Sequence, residues 1–209
     1  MVKTAATLGR LARRGKRRRP GKPHLPSLWF VTDPFRTPDP RGVIARLPRG
    51  AGVIYRAFGA PDAEAVVMRL RRLTAQRGLV LLIGADERLA ARVGADGVHL
   101  PERNFRQAAR LRRRRPQWLI TAAAHSPAAV ARAAVAGVDA VLLSAIFPSR
   151  SPSAGRPMGV LRLAQISRRT DVAIIALGGV NDLTAPRLVG AGVWGVAAVG
   201  GFGSQGGEL

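Results

Sequence analysis

Hydrophobic positions along the chain fall into short, nearly unbroken runs separated by longer stretches in which apolar residues recur at helical spacing. The runs are Leu28 to Thr32, Gly52 to Arg56, Leu79 to Ile83, Gly97 to Leu100, Trp118 to Ala122, Ala140 to Ser144, Val172 to Leu177 and Gly195 to Val199. They are too short for helices, and without alternation of apolar and polar side chains they read as strands buried on both faces. Between them, Pro61 to Arg77, Asn104 to Arg115, Pro127 to Ala136 and Val160 to Arg169 combine charged faces with helical spacing. Strand and helix alternate through eight such units, which predicts an α/β fold: a parallel sheet closed into a single (β/α)8 TIM barrel, with a doubly wound open sheet as the alternative.

A short repeat supports this order. Gly94-Ala95-Asp96-Gly97-Val98, Gly137-Val138-Asp139-Ala140-Val141 and Gly192-Val193-Trp194-Gly195-Val196 each follow a helical stretch and lead into a strand. The leading glycine suits a left-handed residue that ends a helix. The repeat thus marks strand beginnings, and candidate chemistry belongs at the opposite, C-terminal strand ends.

Composition narrows the picture. With 47% hydrophobic residues, the 209-residue chain can bury a real core. The absence of cysteine excludes disulfides, thiolate nucleophiles and cysteine-ligated zinc, and three histidines disfavour an all-histidine metal site, so no protein metal centre is expected. The longest uncharged run, Leu188 to Gly207, is broken by eight glycines and does not read as a membrane span.

The formal charge of +22 is concentrated at one end: nine of the 34 cations lie in the first 22 residues, without one carboxylate. Residues 1–26 therefore read as a basic flexible arm, and residues 27–209 as the barrel. The arm has no apolar segment of the length a secretory signal needs, which points to a cytoplasmic protein. Nonspecific contact of the arm with nucleic acid and pairing of the chain as a homodimer both stay open. Aromatic residues make up only 5% of the chain, giving few stacking platforms for single-stranded nucleic acid.

Glycine turns follow the last two strands, Gly178-Gly179 and Gly200-Gly201. In barrels of this kind these loops commonly hold a phosphate, because glycine lets backbone N–H groups approach its oxygens, so a phosphorylated small molecule is the implied ligand. After the fifth strand, His125 precedes Ser126 and Pro127, a helix cap followed by a favoured first helical residue. The spacing leaves two readings of His125: an acid–base group at the mouth, or a side chain that only bonds the turn.

His99 sits one residue inside its strand and reads as packed. Thr32, Asp33, Arg56, Asp86, Glu87 and Glu102 follow earlier strands, and Arg56 and Glu102 are candidate substrate contacts with Ser126, Ser149 and Ser151. The loop from Phe147 to Pro157, with Arg150 and Arg156, reads as a lid over a polar ligand or as an ordinary mobile loop.

These motifs in this order resemble the thiamine phosphate synthase/TenI superfamily of small barrels between about Leu28 and Phe202. The residues carrying the resemblance are Trp29-Phe30-Val31-Thr32-Asp33, Gly94 to Pro101, His125-Ser126, Ile146 to Ser151, Ala176 to Val180 and Gly195 to Val199. It implies a thiazole phosphate or thiamine phosphate ligand whose phosphate rests on Gly178, Gly179, Gly200 and Gly201. In the synthases a magnesium ion helps pyrophosphate leave a pyrimidinylmethyl group, which the thiazole nitrogen captures; Mg2+ is expected here only if that activity is retained.

This chain departs from the synthase pattern. The Asn-Asp after strand three reads Gly84-Ala85, and the acidic position beyond strand four reads Arg103-Asn104. The Gln-x-Arg-x-Lys after strand two keeps only Arg56, and Pro152 stands where a basic residue usually closes the sixth loop. Asp86, Glu87 or Glu102 would have to replace the missing ligands. The retained His-Ser with missing metal carboxylates resembles the TenI branch, which implies metal-independent proton transfer of the thiazole tautomerase type by His125. Thiamine phosphate synthase is the alternative, and a noncatalytic phosphate-ligand-binding or basic RNA-associated protein is a further one.

Overall fold

The computed structural model describes residues 24–149 and 155–199. Eight strands form one closed, wholly parallel barrel in sequence order, with β1 also pairing β8. The strands are β1 (Leu28–Val31), β2 (Gly52–Tyr55), β3 (Val80–Gly84), β4 (Gly97–Leu100), β5 (Leu119–Ala124), β6 (Ala140–Leu143), β7 (Ala173–Ala176) and β8 (Gly195–Ala198). Helices α1 (Arg41–Ile44), α2 (Ala63–Gln76), α3 (Glu87–Arg92), α4 (Ala108–Arg114), α5 (Pro127–Val135) and α6 (Val160–Arg168) lie between strands. Single 3₁₀ segments at Glu102–Gln107 and Ala185–Leu188 complete the described elements. The expected TIM barrel is therefore present, and the open-sheet alternative falls.

The strands lack alternation because both of their faces are covered. Phe30, Val53, Leu81, Val98, Ile120, Val141, Ile174 and Val196 face outward into one core with Val67 and Leu70 of α2, Leu111 of α4, Val130 of α5 and Leu163 of α6. Trp29, Ile54, Leu82, Leu119, Leu142, Ile175 and Ala197 fill the cylinder itself. Interleaved inward side chains of this kind make the interior a packed core rather than a channel.

Two tryptophans close the bottom. The indole N–H of Trp29 donates to the Pro26 carbonyl at 2.9 Å, and that of Trp194 donates to the Leu25 carbonyl at 3.2 Å. Leu25 and Pro26, which the sequence reading assigned to the arm, thus belong to the barrel floor; residues 1–23 lie outside the described residues. A β-carbon at Gly52 would lie 2.2 Å from the Trp29 ring, so the bulk of the indole is accommodated by the glycine paired with it in the neighbouring strand.

The repeated motif does more than end helices. Gly94, Gly137 and Gly192 take positive φ values of 63°, 82° and 74°, the conformation their position requires. The aspartates two residues later complete the sheet: Asp96 accepts from the backbone N of Leu81 at 2.8 Å, and Asp139 from that of Ile120 at 2.8 Å. Arg71 and Arg112 pair with the same two carboxylates. In the third copy the position is Trp194, which gives up this bond to fill the floor.

Gly52→Ala should lower stability by about 3 kcal/mol or more, because a β-carbon cannot share space with the enclosed Trp29 ring. Urea unfolding reads the loss; a midpoint equal to that of the unmodified chain would contradict the packing described.

Candidate active site at the C-terminal mouth

β5 ends at Ala124 and α5 begins at Pro127, so His125 sits on the rim. Ser126 caps α5, its hydroxyl accepting from the Ala129 N–H at 3.1 Å. On the adjacent rim, Glu102 opens the 3₁₀ turn after β4 and reaches across to the histidine. Its Oε2 accepts from the His125 backbone N–H at 3.0 Å and lies 2.8 Å from Nδ1. An ionised carboxylate can only accept, so this contact selects the imidazole tautomer with hydrogen on Nδ1 and a lone pair on Nε2. Arg132 on α5 lies 3.7 Å from the other carboxylate oxygen, Oε1.

The histidine side chain is 49% exposed. It faces an open pocket of about 720 Å³ lined by Pro101, Glu102, Arg103, Phe105, Arg106, Ala123, His125 and Arg132. Spacing alone left His125 between an acid–base group and a turn residue. The structure adds the orienting carboxylate, and Glu102, expected as a substrate contact, is already bonded to the histidine. Its pairing joins residues 23 apart, beyond any local sequence signal.

A second polar group occupies the mouth between β1, β2 and β4. Arg56 Nε donates to the Thr32 carbonyl at 2.7 Å and an outer nitrogen donates to Asp33 Oδ2 at 3.1 Å, while its backbone N–H donates to Thr32 Oγ1 at 3.0 Å. The guanidinium also lies over the Phe58 ring, 4.9 Å from its centre. Burial pulls its pKa below the usual arginine value, an effect that Asp33 partly offsets. Arg56 is thus anchored in the wall of the mouth.

His99 is turned into the cylinder, with Nδ1 2.9 Å from the hydroxyl of the fully buried Thr121. Burial, aided by the Arg56 charge, pushes its pKa down to about 4, so the ring is neutral near pH 7.

Gly178 and Gly179 have positive φ values of 89° and 65°. A β-carbon on Gly178 would meet Ala145 at 2.8 Å, and one on Gly179 would meet the Pro148 carbonyl at 2.3 Å. Close approach of the loop after β6 therefore accounts for both glycines. Their amides, and that of Val180, donate to no backbone carbonyl among the described residues. Thr184 steadies the turn by donating to the Gly179 carbonyl at 2.8 Å. Ser149 is half-buried at the edge of the described chain, whereas Arg150, Ser151, Gly200 and Gly201 lie outside the described residues.

Asp33, Asp86, Glu87 and Glu102, the carboxylates that follow the first four strands, do not fit a magnesium ion, which needs oxygen donors free to take near-octahedral positions. Asp86 caps α3, accepting from the Leu89 N–H at 2.8 Å. Glu87 is paired with Arg110, Glu102 with His125 and Arg132, and Asp33 with Arg56. Among the described residues no group of three or more histidine, aspartate or glutamate side chains is placed to hold a metal. Likewise among the described residues, no helix is long and apolar enough to cross a membrane.

Comparison with known proteins gives a consistent likeness. Residues 29–202 match the family model described as thiamine monophosphate synthase. A thiamine-phosphate synthase from Alcanivorax borkumensis is 31% identical over 182 residues, covering 84% of each chain. With a Geobacter sulfurreducens relative the match is 33% over 131 residues and covers 62% of each chain. Among solved structures, the thiamine phosphate pyrophosphorylase from Pyrococcus furiosus superposes with a TM-score of 0.72 at 26% identity, covering 83% of this chain and 85% of that one.

The His99 environment predicts a pH dependence of stability. The folded-state value of about 4 lies below the unfolded 6.5, so the unfolded chain takes up the proton first as pH falls. The contribution is complete above about pH 6.5 and is lost between there and about pH 4, at no more than about 1.4 kcal/mol per pH unit. In urea titrations His99→Gln should show a shallower decline over this window; a decline as steep as that of the parent chain would assign the effect elsewhere.

Proposed function

The chain belongs to the thiamine monophosphate synthase family, and from that premise we propose that it is an enzyme acting on a thiazole phosphate, with His125 transferring a proton under the direction of Glu102. The observation that carries this reading is the 2.8 Å contact between Glu102 Oε2 and His125 Nδ1. It leaves Nε2 as the nitrogen with the free lone pair, on a side chain that lines the pocket. Nε2 takes a proton from a ring carbon of the ligand, and the electron pair released moves into the conjugated ring. The imidazolium, stabilised by the Glu102 carboxylate, returns the proton to another position of that conjugated system. Atoms balance as an isomerisation, with no co-reactant. The amides of Gly178 and Gly179, which donate to no backbone carbonyl among the described residues, with Gly200 and Gly201 of the next loop, hold the phosphate in this reading, and Arg56, Ser126, Ser149 and Ser151 border the ligand.

A second reading has its own support. The Alcanivorax and Pyrococcus proteins are named for the coupling reaction, and those names favour thiamine phosphate synthesis over the proton transfer anticipated from the sequence. Coupling forms a carbon–nitrogen bond between a pyrimidinylmethyl group and the thiazole nitrogen while the carbon–oxygen bond to pyrophosphate breaks. Magnesium would supply charge neutralisation for that leaving group, and the commitments of Asp33, Asp86, Glu87 and Glu102 weigh against it here.

The two readings separate in one assay series. The full chain is given the carboxylated thiazole phosphate tautomer or, separately, the pyrimidine pyrophosphate with thiazole phosphate, each with magnesium and with chelator. Tautomer turnover that persists in chelator is expected, with His125→Ala reducing kcat by roughly 10²- to 10⁴-fold and Glu102→Gln by a smaller factor. Coupling that requires magnesium, with His125→Ala fully active, would replace this reading by the synthase one.

A further inference from the structure

The pocket beside His125 carries an excess of positive charge that proton transfer does not use. Three guanidinium groups line it, from Arg103, Arg106 and Arg132, against the single carboxylate of Glu102. That carboxylate is taken up by His125 on one oxygen and approached by Arg132 at the other. The guanidinium groups of Arg103 and Arg106 have no ion-pair or hydrogen-bond partner among the described residues, whereas Arg71, Arg92, Arg110 and Arg112 each pair with a carboxylate. Beneath them the wall is apolar: Pro101, Ala123 and the buried ring of Phe105, over which Arg132 lies at 5.7 Å. Guanidinium groups above a low-dielectric wall concentrate positive potential, and their planar donor forks match phosphate and carboxylate oxygens.

We propose that Arg103 and Arg106 form an oxyanion site that takes a phosphate or carboxylate group of the ligand without a metal. The inference deepens the function proposed above and rests on it: the molecule handled at His125 carries a second anionic group, separate from the one near β7.

The test measures binding rather than turnover. The full chain, in chelator and at 150 mM salt to suppress diffuse attraction to the basic arm, is titrated calorimetrically with inorganic pyrophosphate and separately with malonate. The comparison variants are Arg103→Ala/Arg106→Ala and, as a control for equal charge loss, Arg69→Ala/Arg72→Ala on α2. At least one anion should bind, with affinity falling about tenfold or more in the first variant and staying within about twofold in the control. Preference for pyrophosphate assigns the site to phosphate, and preference for malonate to carboxylate. No binding of either anion, or an equal loss in both variants, would overturn the proposal. Anion binding absent while His125→Ala still abolishes turnover leaves the proton-transfer reading standing alone; anion binding present with turnover insensitive to His125 does the opposite.

Discussion

A parallel eight-stranded cylinder sends every second strand residue inward, and the space inside must be filled by side chains that also leave a usable surface at one end. Here the lower end is closed by Trp29 and Trp194, whose indole N–H groups are satisfied by the carbonyls of Pro26 and Leu25. Gly52 opposite Trp29 provides the room for that ring. Leu82, Leu119, Leu142 and Ile175 fill the middle. Towards the mouth the filling becomes polar, with His99 bonded to Thr121 and Arg56 bonded to Thr32 and Asp33. The interior is therefore occupied, and ligand chemistry is left to the rim, where His125, Glu102 and the turn at Gly178 are found.

Charge allocation at the rim follows from scarcity. The chain carries 34 cations against 12 anions, and at the mouth Asp86 is assigned to a cap, Asp33 and Glu87 to an arginine and Glu102 to the histidine. A site of this make-up is poor in free oxygen donors and rich in fixed positive charge. In the function proposed above, it suits imidazole proton transfer and anion recognition better than chemistry organised by a divalent cation. Ala85 shows the same change at the backbone: its φ of 62° is a conformation that short polar side chains tolerate better than alanine, and here it carries no donor.

Much of the fold was legible because burial on both faces leaves a direct trace, an unbroken apolar run, and all eight runs became strands. The helix start at Ser126 and the helix ends at Gly94 and Gly137 were equally local, whereas the cap at Asp86 was not singled out. The floor was not: nothing in residues 25 and 26 announces that two tryptophans, one of them 169 positions away, bond to their carbonyls. The roles of Asp96 and Asp139 as substitutes in the sheet ladder were hidden within a motif that already had an explanation in its glycine. At the site, His125 was readable from its place after a strand and before a cap. Its partnership with Glu102 was not, since a hydrogen bond across two loops depends on the closure of β4 against β5. The cluster of Arg103, Arg106 and Arg132 was likewise masked by the abundance of arginine, and only the pocket distinguishes these three from solvated surface charge.

The central claim is that Glu102 holds His125 with hydrogen on Nδ1 and a free lone pair on Nε2. Two-bond ¹⁵N–¹H correlation spectra of the histidine-labelled full chain, assigned with His125→Gln, observe this directly. The account predicts that the neutral His125 ring is protonated at Nδ1 and loses this preference in Glu102→Gln. A neutral His125 protonated at Nε2, unchanged by the Glu102 substitution, would contradict it.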